Sequence, residues 1–512
     1  MRDGLSVPAD KVPGMARIAV IGAGMGAMAA AARLAVAGHR VVVYERTETY
    51  GGALRRLERD GFRFDTGPGL LPLPAVYRDL FLKTGREPLE ECVDLVQVDP
   101  SSHHVFADGT RVSLPNASRA GVVAALEDAF GPAAARRWGD FLVRAREAWD
   151  RSRRPLLEEP LWPNWQVLAE REPYPAVPHK RFLRTRAART LAEVGAWELR
   201  EPRLVSLLES HALAYGLDPR GTPASAAVLP YMEHAFGTWY VRGGMRELAR
   251  AVYERCLARR VEFRFGAEVA GIVEKDGRAA GVELSDGTVA EADLVVAGVA
   301  PAVLERLGGG TRPRGDGGVP PQRGAASRLT VLLALRGGRQ EGVAHRTVVH
   351  GEDRDAELES LFGPDPAVPA RPTVTVLRPD DPALVPDAGH EAVTVTSVVP
   401  EGSGGSPDAL AQHLVTAAER AVPGLRDRLL WQEVRTPADI AGETGAPGGA
   451  VPVPALAAAD GRLLHPSNTT RLPGLFTAGG WSHPGGGLPH AGMSGALVAG
   501  LIVEGPDFRG SQ

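Results

Sequence analysis

The sequence predicts an α/β fold: a parallel-sheet domain assembled from separate stretches of chain, with an α+β domain and a helical segment inserted between them. Three observations predict it. A strand–glycine–helix–strand unit runs from Arg17 to Glu45. A second strand–glycine–helix unit runs from Leu475 to Ile502. Between them, Trp239 to Ala297 carries a helix and a run of short strands. At 512 residues, 44% apolar and 23% charged, the chain has material for several packed modules. A formal charge of −4 gives no overall pull toward nucleic acid, which is not an expected partner, so any membrane contact must be local.

Cys92 and Cys256 lie far apart. They offer neither metal-ligand spacing nor a disulfide framework and read as reduced, packed cysteines of a cytoplasmic protein. No metal is expected. Residues 1–14 are polar and read as a disordered extension without the apolar core of a signal peptide. No run of about 18 apolar residues occurs, so no membrane span is expected.

Arg17-Ile18-Ala19-Val20-Ile21 has the pattern of a buried parallel strand. Gly22-Ala23-Gly24-Met25-Gly26-Ala27 follows, then a small-residue helix ending near Gly38, then Val41 to Tyr44 and Glu45. Gly22 allows a tight turn, Gly24 lets a pyrophosphate approach the backbone, and Ala27 lets helix and strand pack closely. The helix N-terminus offers free N–H groups and a positive dipole end to phosphates. Glu45 is placed to accept hydrogen bonds from adenosine ribose hydroxyls. Together these residues make a Rossmann-like dinucleotide site.

Arg46 follows the acid, and Gly51-Gly52-Ala53 and Phe64-Asp65-Thr66-Gly67-Pro68 come soon after. A glycine doublet puts bare backbone beside a second stretch of cofactor, as an extended FAD needs near its ribityl chain. Here the chain resembles the flavoenzymes of the amine oxidase and phytoene desaturase superfamily. They carry the doublet after the acid, usually as Gly-Gly-Arg, and then Phe-Asp-x-Gly-Pro. The resemblance implies FAD, with Gly51, Gly52, Ala53 and Pro68 beside it. Ala53 departs from the family's Arg, which removes one cofactor contact unless Arg55 or Arg56 supplies it.

The middle of the chain fits the same resemblance. Trp239 to Met245 opens a helix; Val261 to Phe265, Glu268 to Glu274, Arg278 to Leu284 and Thr288 to Glu291 read as a meander with turns at Asp276-Gly277 and Asp286-Gly287. In the superfamily the residue matching Val269 meets the adenine through its backbone. Gly308 to Gly324 reads as a flexible connection. His345 to Asp355, Asp381-Pro382 and Gly389-His390-Glu391 resemble stretches of bacterial phytoene desaturases. Alternation at Thr373 to Val376 and Val393 to Thr396 predicts half-buried strands of a substrate domain. His345 and His350 read as surface or hydrogen-bonded loop histidines rather than ligands.

Leu475 to Gly480 is a last strand running into a glycine turn, with Gly479 and Gly480 at its end. Trp481-Ser482-His483-Pro484-Gly485-Gly486-Gly487-Leu488-Pro489-His490 resembles the His-Pro-Gly-x-Gly-x-Pro signature of phytoene desaturases, and the Gly-Gly before it is similar to hydroxycarotenoid 3,4-desaturases. The helix from Ala491 would point its N-terminus, beside Gly487 and Leu488, at the flavin pyrimidine end, where negative charge gathers on reduction. His490 and His465 depart from the family pattern. His490 is read as facing either the cofactor pocket or ordinary packing; His483 is read as holding the glycine loop.

The domain expectation follows. FAD-binding parts occupy 15–100, 226–305 and 456–505; substrate parts occupy 101–225, largely helical, and 306–455. Lys180 to Arg189 reads as a basic amphipathic helix able to touch a membrane surface or to show a solvated face. Trp239, Tyr240 and Tyr231 are candidates to line an apolar tunnel. The resemblance implies desaturation of an apolar polyene or isoprenoid by hydride transfer to flavin N5. It also spans polyene isomerases, saturases and oxidases of other natural products. No catalytic acid or base is singled out by the sequence.

Overall fold

The structure is a computed structural model that describes residues 14–179, 184–308 and 326–510. The N-terminal extension through residue 13, Lys180 to Leu183, and residues 309–324 of the expected connection lie outside the described residues.

Among those residues, five parallel strands form the first sheet, in the spatial order Glu262–Arg264, Arg40–Tyr44, Arg17–Ile21, Leu294–Ala297, Leu475–Thr477. Val20 lies opposite both Val43 and Val296, and Val296 lies opposite Phe476. Such continuous apolar runs suit strands covered on both faces. Strands far apart in sequence become neighbours, as expected for a domain built from several stretches. Glu262–Arg264 differs from expectation. It joins the parallel sheet, because the helix Arg246–Ala258 before it carries the chain back to run alongside Arg40–Tyr44. The meander proper is Val269–Lys275, Arg278–Leu284 and Val289–Glu291.

A seven-stranded sheet forms a second layer, ordered Leu429–Arg435, Ala326–Arg336, His390–Pro400, Val374–Leu377, Arg346–Val349, Ser102–Val105, Arg111–Leu114. One face packs Leu329, Val331 and Leu333 under the helix Pro407–Ala418. The other face is turned toward the site. A helical layer, including Arg119–Phe130, Pro132–Arg153, Pro202–Leu213 and Val228–Phe236, shares a core around Trp138, Phe141, Leu207 and Met232.

The basic segment corrects one expectation. Arg184–Arg186 pairs antiparallel with Val177–His179 and is extended. Thr190, itself extended, caps the short helix Leu191–Val194 through the Glu193 N–H, so helix begins only there.

Two helices set the site. Met25–Val36 and Leu488–Val503 cross backbone against backbone. A Cβ on Gly495 would stand 2.5 Å from the Gly26 carbonyl oxygen and 2.7 Å from the Ala30 nitrogen. A Cβ on Gly26 would stand 2.6 Å from Gly479 Cα. Only bare backbone allows this approach. We expect Gly495→Val to lower the unfolding free energy by about 1–3 kcal/mol or more, read as an earlier midpoint in urea unfolding.

Candidate functional site

Both glycine turns open from the C-terminal ends of parallel strands, where open α/β sheets place ligands. They face one cavity of about 620 Å³, within the range of small-molecule sites. Of the residues singled out in the sequence, Gly22, Gly24, Met25, Gly26, Ala27, Glu45, Arg46, Gly51, Gly52, Ala53, Pro68, Val269, Gly479, Gly480, Gly487 and Leu488 all line it. Ala23 is fully buried beneath them.

The residues fit an extended dinucleotide. Gly22 sits at φ +89°, and Gly24 has open space where a Cβ would lie. Neither helix N-terminus, at Gly24 or at Gly487, receives a side-chain cap. Their free N–H groups therefore remain for a ligand. Ala27 packs as the fingerprint requires, since a Cβ on Gly298 would stand 2.8 Å from its own Cβ.

Glu45 is buried and holds the turn in shape. Its Oε2 accepts from the Ala23 N–H at 2.8 Å, and its Oε1 from the Thr47 N–H and hydroxyl at 2.9 and 2.8 Å. Two carboxylate oxygens offer about four acceptor positions, so capacity remains for a ribose hydroxyl. The glycine doublet lies directly on the first turn. The Gly51 N–H donates to the Ala23 carbonyl at 2.8 Å, and a Cβ on Gly52 would stand 3.0 Å from Gly24 Cα. Arg55 lines the cavity and is braced by the Gly52 carbonyl and the Thr47 hydroxyl. Arg56 turns to Glu247 and the Gly243 carbonyl. Arg55 is thus the arginine standing where Ala53 offers none.

What joins these parts is carried by residues remote in sequence. Asp65 accepts from the Met245 and Arg246 N–H groups at 2.6 and 3.1 Å and so caps the helix Arg246–Ala258. Burial pushes its carboxyl up to about 6. The Phe-Asp-x-Gly-Pro stretch and the start of the helix Arg246–Ala258 are therefore one structural lock. Asp381 accepts from the Tyr240 hydroxyl at 2.8 Å and from the Gly243 N–H at 2.6 Å, tying the second layer to the first. At the closing turn, Asn468 Nδ2 donates to the Thr477 and His483 carbonyls and to the Ser494 hydroxyl; Ser494 Oγ accepts from the Gly479 N–H.

The histidines sort clearly. His483 holds the loop, bonded through Nε2 to the Glu159 carbonyl at 2.9 Å. His490 lines a small space beside Trp149 that shares Leu229 and Met232 with the large cavity, and it is not among the large cavity's lining residues. His350 is buried in the sheet, bonded to His104 Nδ1 at 3.0 Å and stacked on Phe106. His345 packs against the Tyr240 ring. Tyr240 lines the cavity; Trp239 and Tyr231 are not among its lining residues.

Beyond the glycine loops the cavity runs between the helical layer and the inner face of the seven-stranded sheet. Leu213, Leu229, Met232, Val348 and Leu377 supply apolar wall. His211, Glu233 and Arg346 supply a compensated polar cluster, with Arg346 forked onto the Glu233 carboxylate. Burial pushes the Glu233 carboxyl up, but Arg346 and His211 outweigh it and hold it below its ordinary range. These groups come from separate elements, and no local motif announces them.

The chain matches the family described as flavin containing amine oxidoreductase over residues 28–323. It is 29% identical to a 4,4'-diapolycopene oxygenase from Methylomonas sp, over 95% of this chain and 98% of that one. It is 30% identical to a hydroxyneurosporene desaturase from Cereibacter sphaeroides, over 95% and 97%. A zeta-carotene-forming phytoene desaturase from Myxococcus xanthus is 29% identical, over 94% and 93%. Among solved structures, a putrescine oxidase bound to putrescine superposes with a TM-score of 0.64 at 14% identity, covering 96% of this chain and 99% of that one. An oxidoreductase from Methanosarcina mazei gives 0.61 at 17%, covering 94% and 99%.

Two predictions follow from this geometry. Gly24→Val has room for its side chain and an unstrained φ of −72°; it should fold with an unchanged circular dichroism spectrum yet purify without yellow colour. Acidification should loosen the closing turn. Burial pushes His465 and His483 down to about 4 and His490 to about 3, from an ordinary value of 6.5. Their folded values are lowered, so the unfolded chain takes up more protons and stability falls as pH drops from 6.5 toward 4. Asp65, raised to about 6, opposes this for one group. Thermal unfolding at pH 5 should come below that at pH 7.5.

With the family's model covering more than half of the chain and near-full-length relatives named as carotenoid desaturases, the chain belongs to the flavin containing amine oxidoreductases and is an FAD-dependent, phytoene desaturase-like oxidoreductase.

Proposed function

We propose that this chain desaturates an apolar polyene or isoprenoid, and that the residues lining the glycine-loop end of the cavity hold its FAD. The observation that carries the reading is the continuity of the cavity. A single space begins at Gly24 and Gly487 and reaches Leu229, Met232 and Val348 between two layers. A long apolar ligand laid there brings one of its C–H bonds beside the cofactor. The relatives named as desaturases of neurosporene and phytoene derivatives support the same substrate class.

FAD, when bound, would accept a hydride at N5 while a neighbouring C–H loses a proton, so that the two hydrogens leave the substrate as reduced flavin and a proton and a double bond results. The chain supplies binding and orientation. The Gly22–Ala27 turn and the Gly487 helix end orient the two ends of the cofactor. Leu229 and Met232, from the helix Val228–Phe236, press an apolar wall against the ligand and displace water. The Arg346–Glu233 pair keeps charge on that wall compensated. Among the described residues no helix is long and apolar enough to cross a membrane.

The test is anaerobic. Adding a polyene such as phytoene or neurosporene to the holoenzyme should bleach the flavin, and the product should lack two hydrogens. A product of unchanged mass, formed only with reduced enzyme, would mark an isomerase and displace this reading. Leu229→Trp, which fills the channel away from the glycine loops, should keep full FAD content while kcat/KM drops on the order of 10² through misplacement of the reacting bond.

A further inference from the structure

The sheet face that closes the cavity carries polar side chains where a hydrocarbon needs none. Thr330 lies opposite Thr396, and Arg328 opposite Val398, on neighbouring strands Ala326–Arg336 and His390–Pro400. All four line the cavity. The two threonine hydroxyls bond one another at 3.1 Å. Arg328 stands apart from the other arginines of this sheet that line the cavity. Arg346 and Arg435, which also line the cavity, carry carboxylate partners in Glu233 and Glu443. Among the described residues Arg328 has a single partner, the Ala214 carbonyl, which its Nη1 reaches at 2.6 Å, and no carboxylate within ion-pair distance.

A guanidinium presents five donors. One is used here, and the charge is otherwise uncompensated inside the protein. Burial pulls its pKa below the usual guanidinium range, with the Tyr215 hydroxyl nearby acting the other way. A half-buried charge with a single acceptor leaves most of its donors unmet, so an arginine that faces a ligand space in this way is suited to a ligand that brings the acceptor. Its position narrows the ligand. Arg328 stands on the second sheet with its guanidinium on the carbonyl of Ala214, the residue before Tyr215. The Tyr215 ring comes within 3.9 Å of where a Cβ on Gly487 would stand. A group held by Arg328 therefore lies on the side of the cavity that Tyr215 joins to the Gly487 turn.

We propose that Arg328 is a specificity-determining residue that receives an oxygen-bearing group of the substrate, a carboxylate, carbonyl or hydroxyl, so that the natural substrate is an oxygenated polyene rather than a pure hydrocarbon. The inference rests on the polyene reading above. The shared chemistry is an oxygen acceptor, and a carboxylate gains the most because it also supplies the missing counter-charge.

The experiment uses the FAD-loaded enzyme and four probes of matched polyene length: a hydrocarbon, an alcohol, an aldehyde and a carboxylate. Binding is read from the perturbation of the flavin spectrum. Wild type should hold the oxygenated probes tighter than the hydrocarbon by about tenfold or more, the worth of one hydrogen bond to a charged donor. The order among alcohol, aldehyde and carboxylate identifies which oxygen is preferred. In Arg328→Leu the four affinities should converge, and Arg328→Lys should restore part of the carboxylate preference. Equal affinity of wild type for all four probes overturns the inference while leaving the polyene reading standing; binding of none overturns both. A shift in flavin reduction potential in Arg328→Leu, with probe discrimination intact, assigns the guanidinium to the cofactor and also overturns it.

Discussion

The contact on which the rest depends is the crossing of two helices that have almost no side chains between them. Gly26 and Gly495 let Met25–Val36 and Leu488–Val503 touch through their backbones. Close approach brings both N-termini to one place, and with them two sets of free N–H groups. A methyl group at Gly495 would meet the Gly26 carbonyl and the Ala30 nitrogen and push the helices apart. The small-residue composition of both helices is thus a geometric requirement before it is a chemical one. Dispersion at such short range also repays the entropy that glycine loses on folding.

Around that crossing, polar groups hold the loops through backbone hydrogen bonds. Asp65 spends its carboxylate on two backbone N–H groups, Glu45 on the turn beside it, and Asn468 on three acceptors around the closing strand. Each is buried or half-buried, and each satisfies donors or acceptors that would otherwise be stranded. These bonds fix the frame of the cradle, while the N–H groups facing the cavity are left free.

Much of this was legible in the chain itself. Strand periodicity, the glycine spacing and the acid after the second strand placed the first turn, and the closing turn carried its own signature. The residues so chosen come together in one cavity. What escaped notice has a common cause. The Asp65 cap, the Asp381 tie, the Arg346–Glu233 pair and the isolated Arg328 all join residues remote in sequence, and periodicity reports only on neighbours. The basic run near Arg184 misled for a different reason. Its apolar residues fall at helical spacing, yet pairing with Val177–His179 and a cap at Thr190 override that local pattern.

The closing strand and helix also fix when the protein can become itself. Leu475–Thr477 is an edge strand of a sheet whose inner members all lie well before it in the chain, and the helix that follows supplies half of the backbone crossing. The core of the helical layer also takes Met493 and Leu497 from this helix, so neither that layer nor the pocket is complete until the last segment has been made. The cofactor cradle is therefore the final part of the molecule to take shape.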